Sequence, residues 1–258
     1  MSVGKRIVDR FLRGRKREDR ELTEVIRTKE IVFKLPPLTE ELVKAIRLLN
    51  PDIKLKVDEE SRRFWELDQN ASCWAEFEAL SPILKRIPKP AKVLEIGPGL
   101  GRSVVFFTKK LDWHDTEFHL FEANGEKTRY TMLGPRFEDS FCGNLALLKE
   151  VLEYNAVTNF TIFDAKKLDF KITRLPSVYD VIYSFYAVGF HWSLEHFLDD
   201  ILSLMHDRSV ALFTVGYKFA EFEKLKRLHY RLIDATRTPS LTVKMLALSK
   251  SDIFTPKS

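Results

Sequence analysis

Apolar residues in this chain fall into two patterns that alternate along it. Short runs bounded by Gly, Pro, Asn or charged residues occur at Val93–Ile96, Glu117–Ala123, Asn159–Ala165, Tyr179–Tyr186 and Ser209–Gly216, and each predicts a strand buried in a sheet. Between them, Val104, Val105, Phe106, Phe107 and Leu111, then Leu145, Leu148, Val151 and Leu152, recur at helical spacing. Leu194–Met205 predicts a further helix. Strands alternating with helices predict an α/β fold: a doubly wound, mostly parallel, Rossmann-like sheet with helices on both faces.

The flanks are less regular. Thr39 can cap a helix that carries Glu40 and Glu41 in its first turn and stops at Asn50-Pro51. Phe64, Leu67, Ala71, Trp74 and Phe77 predict an amphipathic helix over Ser61–Leu80, with Ser81-Pro82 opening a second short one. Near the other end, Lys218–Ala235 reads as a long polar helix and Leu241–Ser249 as a last strand after the Thr238-Pro239 turn. Residues 1–60 are thus expected to form a basic, helical extension and residues 61–258 the main domain.

Composition narrows the class. The chain of 258 residues is 45% hydrophobic, which suits one sizeable core, and no apolar run approaches the ~20 residues of a membrane span. Cys73 and Cys142 have neither metal-ligand nor disulfide-framework spacing, and Met1–Leu12 lacks the apolar core of a secretory signal; a cytoplasmic protein is expected. The formal charge of +5 sits largely in the first twenty positions, where Ile7, Val8, Phe11 and Leu12 share a helical face. Peripheral contact with an anionic membrane is one reading of that stretch, and a solvated terminus the other. Nothing here requires nucleic acid, and oligomeric state is not encoded in any legible pattern.

Chemistry concentrates in Lys92–Ser103, KVLEIGPGLGRS. A strand that turns into a helix beneath a ligand needs residues without Cβ, and Gly97, Gly99 and Gly101 supply them. A dinucleotide fingerprint needs a small residue at the sixth position, where this chain has Arg102. Acid, one residue, then glycines at three alternate positions resembles motif I of the class I S-adenosylmethionine (SAM)-dependent methyltransferases, over roughly residues 60–250. That resemblance implies SAM as cofactor and a methyltransferase sheet, and gives Glu95 the methionine end of SAM. It also implies a closing antiparallel pair of strands, of which only Leu241–Ser249 is legible, with Asp252–Phe254 as a stub.

Further acids fall where the resemblance needs them. Glu122 ends the second strand, where such folds hold ribose hydroxyls. Asp164 ends the third, where it and the Ala165 backbone would hold the adenine; a strand-end Asp can also simply cap a turn. Ser184 and Tyr186, at the end of the fourth strand, belong on the ligand side, with His191 and Trp192 in the loop beyond. The string His-Trp-Ser-x-Glu-His is similar to the loop of small-molecule O-methyltransferases in which a histidine is the base, though one residue shorter between His and Trp.

A neutral imidazole can take a hydroxyl proton as the methyl group is transferred, so His191 is the candidate base; helix capping or packing on Trp192 is the alternative. Tyr186, Trp192 and Trp65 are the candidate substrate-binding residues, although aromatic residues at helical period, as around Trp65, also suit plain core. The Asn/Asp-Pro-Pro-aromatic element of base-amine methylation is missing, no cysteine lies near the fourth strand, and no divalent-metal cluster is evident. A small-molecule or glycan hydroxyl is therefore the expected acceptor. Two other readings remain: a catalytically silent scaffold of the same fold, and a nicotinamide-dependent reductase, the latter weakened by Arg102.

Overall fold

A computed structural model of the protein describes residues 29–49, 57–123, 143–189, 192–216, 222–238 and 241–254. The basic terminus, residues 124–142 and the candidate base His191 lie outside the described residues. Helices α1 (Glu40–Leu49) and α2 (Glu59–Leu84) precede β1 (Lys92–Ile96), α3 (Arg102–Lys110), β2 (Glu117–Glu122), α4 (Leu145–Tyr154), β3 (Phe160–Asp164) and β4 (Tyr179–Ser184). Then follow α5 (Leu194–Ser203), β5 (Met205–Val215), β6 (His229–Thr238) and β7 (Leu241–Ser249).

The seven strands form one sheet in the order β3-β2-β1-β4-β5-β7-β6. Strands β1 to β5 pair in parallel, and β7 runs antiparallel to both β5 and β6. The chain winds outward from β1 to β3, then restarts at β4 on the other side of β1. Such a reversal opens a crevice at the carboxyl ends of β1 and β4, and the glycine turn lies there.

Alternation along the strands divides the core into two layers. Val93, Val181, Leu212 and Ala247 face one side with α1, α2, α3 and α4, whereas Leu94, Ile182, Phe213 and Leu246 face the other with α5. This is the expected doubly wound α/β arrangement, and both faces of the sheet are covered.

Three expectations are corrected. Among its described residues, the segment that reads as one polar helix over Lys218–Ala235 contains a single 3-10 turn, Leu225–Arg227, and then β6. Leucines at 225, 228 and 232 mimic a helical stripe, but Ile233 and Ala235 point into the core layer beneath α2 while β6 pairs with β7 from Thr238 back to His229. Tertiary pairing overrides the local pattern. The antiparallel closing pair is accordingly complete, with β6 as the strand that seemed to be missing, and Asp252–Phe254 adds no strand to it. Finally, Ser81-Pro82 starts no new helix: α2 runs unbroken through Pro82 to Leu84.

An extended segment ahead of α1, residues 30–35, packs Val32, Phe33 and Leu35 into the core, although it forms no ladder with the sheet. Its polar backbone is satisfied by side chains, chiefly Asn70 of α2 and Asn155 at the end of α4.

Candidate active site

Gly97, Gly99 and Gly101 all have left-handed φ, between 60° and 73°. At Gly97 a Cβ would stand 2.6 Å from Ala187 Cβ in the loop after β4, and at Gly101 one would stand 2.7 Å from Leu152 Cδ2 of α4. The turn therefore needs glycine twice over, for its backbone conformation and for close approach. Gly97 N–H donates to the Phe121 carbonyl and Gly101 N–H to that of Pro98, which fixes both ends of the turn.

Glu122 reaches across from β2. Its Oε2 accepts the Gly99 N–H at 3.1 Å and its Oε1 accepts the Ala123 N–H at 2.9 Å. The residue is only 4% exposed, and burial pushes its carboxyl up to about 7 despite the two amide donors. Gly143 closes over it, since a Cβ there would lie 2.4 Å from Glu122 Cγ.

Glu95, on β1, is more enclosed at 1% exposure. Its carboxylate accepts hydrogen bonds from Ser103 Oγ in the first turn of α3 and from Tyr183 Oη of β4, the latter at 3.0 Å. Burial raises it to about 7, and nearby Glu122 adds to the rise. Glu95 thus braces β1, α3 and β4 together beneath the turn.

The other predicted residues are placed as follows. Asp164 sits at the end of β3 beside Glu122 in register, and its Oδ1 accepts the Lys166 N–H at 3.0 Å, so it caps its own turn. The Ala165 N–H donates to the Glu122 carbonyl. Ser184 is wholly buried; its hydroxyl donates to the Ile96 carbonyl at 2.7 Å and accepts the Val188 N–H at 2.9 Å, which ties the ends of β1 and β4. Tyr186 has a φ of 69°, unusual for a side chain of its size, and its ring lies 5.4 Å from the Arg102 guanidinium carbon. Trp192 is buried against Phe197, on the α5 side of the sheet. Trp65 lies in the opposite core layer, where its indole nitrogen has no hydrogen-bond partner among the described residues. The structure thus gathers Glu95, the glycines, Glu122 and Tyr186 around one turn, and assigns Trp65 and Trp192 to separate layers.

Arg102 carries a role that sequence reading does not find. Its Nη2 donates to Glu76 Oε1 of α2 at 2.7 Å and its Nη1 to Cys73 Sγ at 3.4 Å. Glu76 is 2% exposed, so this is a buried ion pair that fastens α2 to the residue directly after the glycine turn. The sequence separation of 26 hides it from any local pattern. Among the described residues no cluster of His, Cys, Asp and Glu could hold a metal ion, and no helix is long and apolar enough to cross a membrane.

No protein-family model matches the chain, and no curated protein does. Solved structures match it. Cofactor-bound Rv0187 from MTB superposes with a TM-score of 0.51 at 13% identity, over 89% of this chain and 97% of that one. The fold is a Rossmann-like methyltransferase fold, a seven-stranded, mostly parallel sheet with helices on both faces. Further matches are the plantazolicin methyltransferase BpumL in complex with SAH (TM-score 0.46, 11% identity, 81% of this chain and 94% of that one). A putative caffeoyl-CoA O-methyltransferase from Staphylococcus aureus matches as well (0.44, 12%, 90% and 99%).

Proposed function

We propose that the protein is a SAM-dependent methyltransferase that acts on a hydroxyl of a small molecule or glycan. The observation that carries this reading is the placement of Glu122: an acid at the carboxyl end of β2, hydrogen-bonded to the central glycine of a left-handed turn at the switch point of the sheet. A carboxylate has about four lone-pair sites, and the two amides use two of them. The remaining two suit the paired hydroxyls of a ribose. A diphosphate would meet a buried carboxylate on the amide it needs, which disfavours a nicotinamide cofactor here.

When bound, SAM supplies a methyl group made electrophilic by its sulfonium. The chain's own residues do the rest. Glu122 would hold the ribose, the glycine turn lets the ligand approach the backbone, and Asp164 lies at the next strand end for the adenine. Tyr186, held against Arg102, would border the acceptor, and His191 is assigned the acceptor's hydroxyl proton on sequence grounds. Metal-independent transfer is part of the same proposal, since an imidazole base needs no Lewis acid to act on a hydroxyl. Calorimetric titration with SAM and, separately, with NADH tests the reading. SAM should bind and NADH should not; binding of NADH alone, or of neither, would overturn it and favour a reductase or a silent scaffold.

A further inference from the structure

The side chains that hold the extended segment 30–35 lie on one row of α2. Arg62 Nη1 donates to the Leu35 carbonyl at 3.0 Å and Glu66 Oε1 accepts the Leu35 N–H at 2.7 Å. Asn70 Oδ1 accepts from Val32 and Phe33 N–H at 2.8 and 3.0 Å while its Nδ2 donates to the Phe33 carbonyl, and Trp74 Nε1 donates to the Glu30 carbonyl at 2.9 Å. Positions 62, 66, 70 and 74 are successive neighbours at a spacing of four along a helix. The adjoining row, Cys73 and Glu76, faces Arg102 at the start of α3. One helix therefore reads the segment with one row and anchors the glycine turn with the next.

The same segment also touches the other helices of this face. Lys109 Nζ of α3 donates to the Val32 carbonyl at 3.1 Å, Lys110 pairs with Glu30, and Asn155 brackets Lys34 through both its N–H and its carbonyl. Val32 further shares a buried cluster with Cys73 and Phe106, so its side chain packs beside the sulfur that Arg102 contacts. Every polar contact named here is to the main chain of the segment except the Glu30–Lys110 pair.

We infer that residues 30–35 are a detachable latch: docked, they clamp α2 to α3 and hold the glycine turn in its ligand-ready form; released, they let α2 and Arg102 move and loosen the turn. The device lies outside the ligand site and couples to it through α2, so anything that captures the preceding chain would weaken ligand binding from a distance. The segment belongs to no ladder and its backbone bonds go to side chains rather than to a strand, so its release leaves the pairing of the sheet intact. The inference concerns the turn itself and does not depend on which ligand the turn holds.

Hydrogen exchange on the full chain tests it, with Lys34→Pro as the main variant. Lys34 is exposed, so proline removes its N–H bond to Asn155 Oδ1 while leaving the buried apolar side chains of the segment unchanged. Lys34→Ala keeps that N–H and serves as the control. Amides of residues 30–35 and of 97–107 should both exchange at least ~10-fold faster in Lys34→Pro, with Lys34→Ala at wild-type rates. Glu76→Leu, which removes the acceptor of Arg102 Nη2, should speed 97–107 while leaving 30–35 protected. Faster exchange in 30–35 with an unchanged turn would overturn the coupling. Unchanged exchange in both regions would overturn the latch itself. Should Lys34→Pro fail to fold, Trp74→Phe, which keeps an aromatic ring and removes only the donor to Glu30, is read by the same two outcomes.

Discussion

Gly99 gives its main-chain N–H to the carboxylate of Glu122 across 3.1 Å, so the acid of the second strand and the turn after the first form a single hydrogen-bonded unit. Glu122 carries a carboxyl raised to about 7, and hydroxyl donors on a ribose favour its ionised form. SAM affinity is therefore expected to rise as pH goes from 6 to 8 in the wild type and to stay flat in Glu122→Gln. At pH 8 the variant should bind about 10-fold more weakly, the worth of one hydrogen bond to a charged group. Calorimetry across that range checks both.

Glu95 makes a prediction about stability. Its folded value near 7 lies above the ordinary carboxyl value of 4.5, so its contribution is full below pH 4.5 and is lost as pH rises through 7. Melting temperature of the wild type should fall between pH 5 and pH 8, and Glu95→Gln should remove part of that fall. The ceiling on the effect is about 3 kcal/mol. Glu122 titrates in the same direction, so a residual slope is expected in the single variant and less in the double.

The Arg102–Glu76 pair is buried, and removing one partner strands the other. Glu76→Gln or Arg102→Met alone should cost roughly 3–5 kcal/mol in urea unfolding. Replacing both, as Glu76→Leu with Arg102→Met, should recover much of that loss, because the apolar pair no longer leaves a charge unpaired. Tyr186 rests on Arg102 at 5.4 Å, so acceptor KM should change even in the recovered double variant.

Gly143→Ala should act on Glu122 rather than on its own segment. The added methyl would stand 2.4 Å from Glu122 Cγ and 2.5 Å from Cδ, and a flexible carboxylate gives way before backbone does. Expected is weak SAM binding, as in Glu122→Gln, in a protein of nearly unchanged melting temperature. Normal SAM affinity in Gly143→Ala would show that Glu122 does not need its contact with Gly99.

His191→Ala should lower turnover by about 10²–10⁴ while SAM affinity stays within twofold, as expected of a base that acts only in the chemical step. Single-turnover kinetics with a hydroxyl acceptor measures this; equal loss of SAM affinity would assign the residue to binding instead.

The parallel sheet and its ligand end are legible in the sequence because both leave local marks. Buried strands are apolar runs, turns need glycine, and Glu122 and Asp164 each stand directly at the end of an apolar run, where the family resemblance looks for an acid. What is not legible depends on partners far away in the chain. Arg102 reads only as an obstacle to helix packing, because its carboxylate lies on α2. Ser184 reads as a ligand residue, whereas its hydroxyl joins the ends of β1 and β4. β6 reads as helix because Leu225, Leu228 and Leu232 recur at helical spacing, and only the ladder to β7 decides otherwise. Segment 30–35 has no period at all, since its backbone bonds go to side chains that sequence spacing cannot identify.

The hairpin that closes the sheet has a consequence for how the chain is made. β7, residues 241–249, is inserted between β5 and β6, so an interior strand is the last of the seven to leave the ribosome. Until residue 249 has emerged, β5 carries an open row of hydrogen-bonding groups and β6 has no neighbour to pair with. Chains halted between β5 and β7 would therefore be prone to edge-to-edge aggregation through the unpaired side of β5.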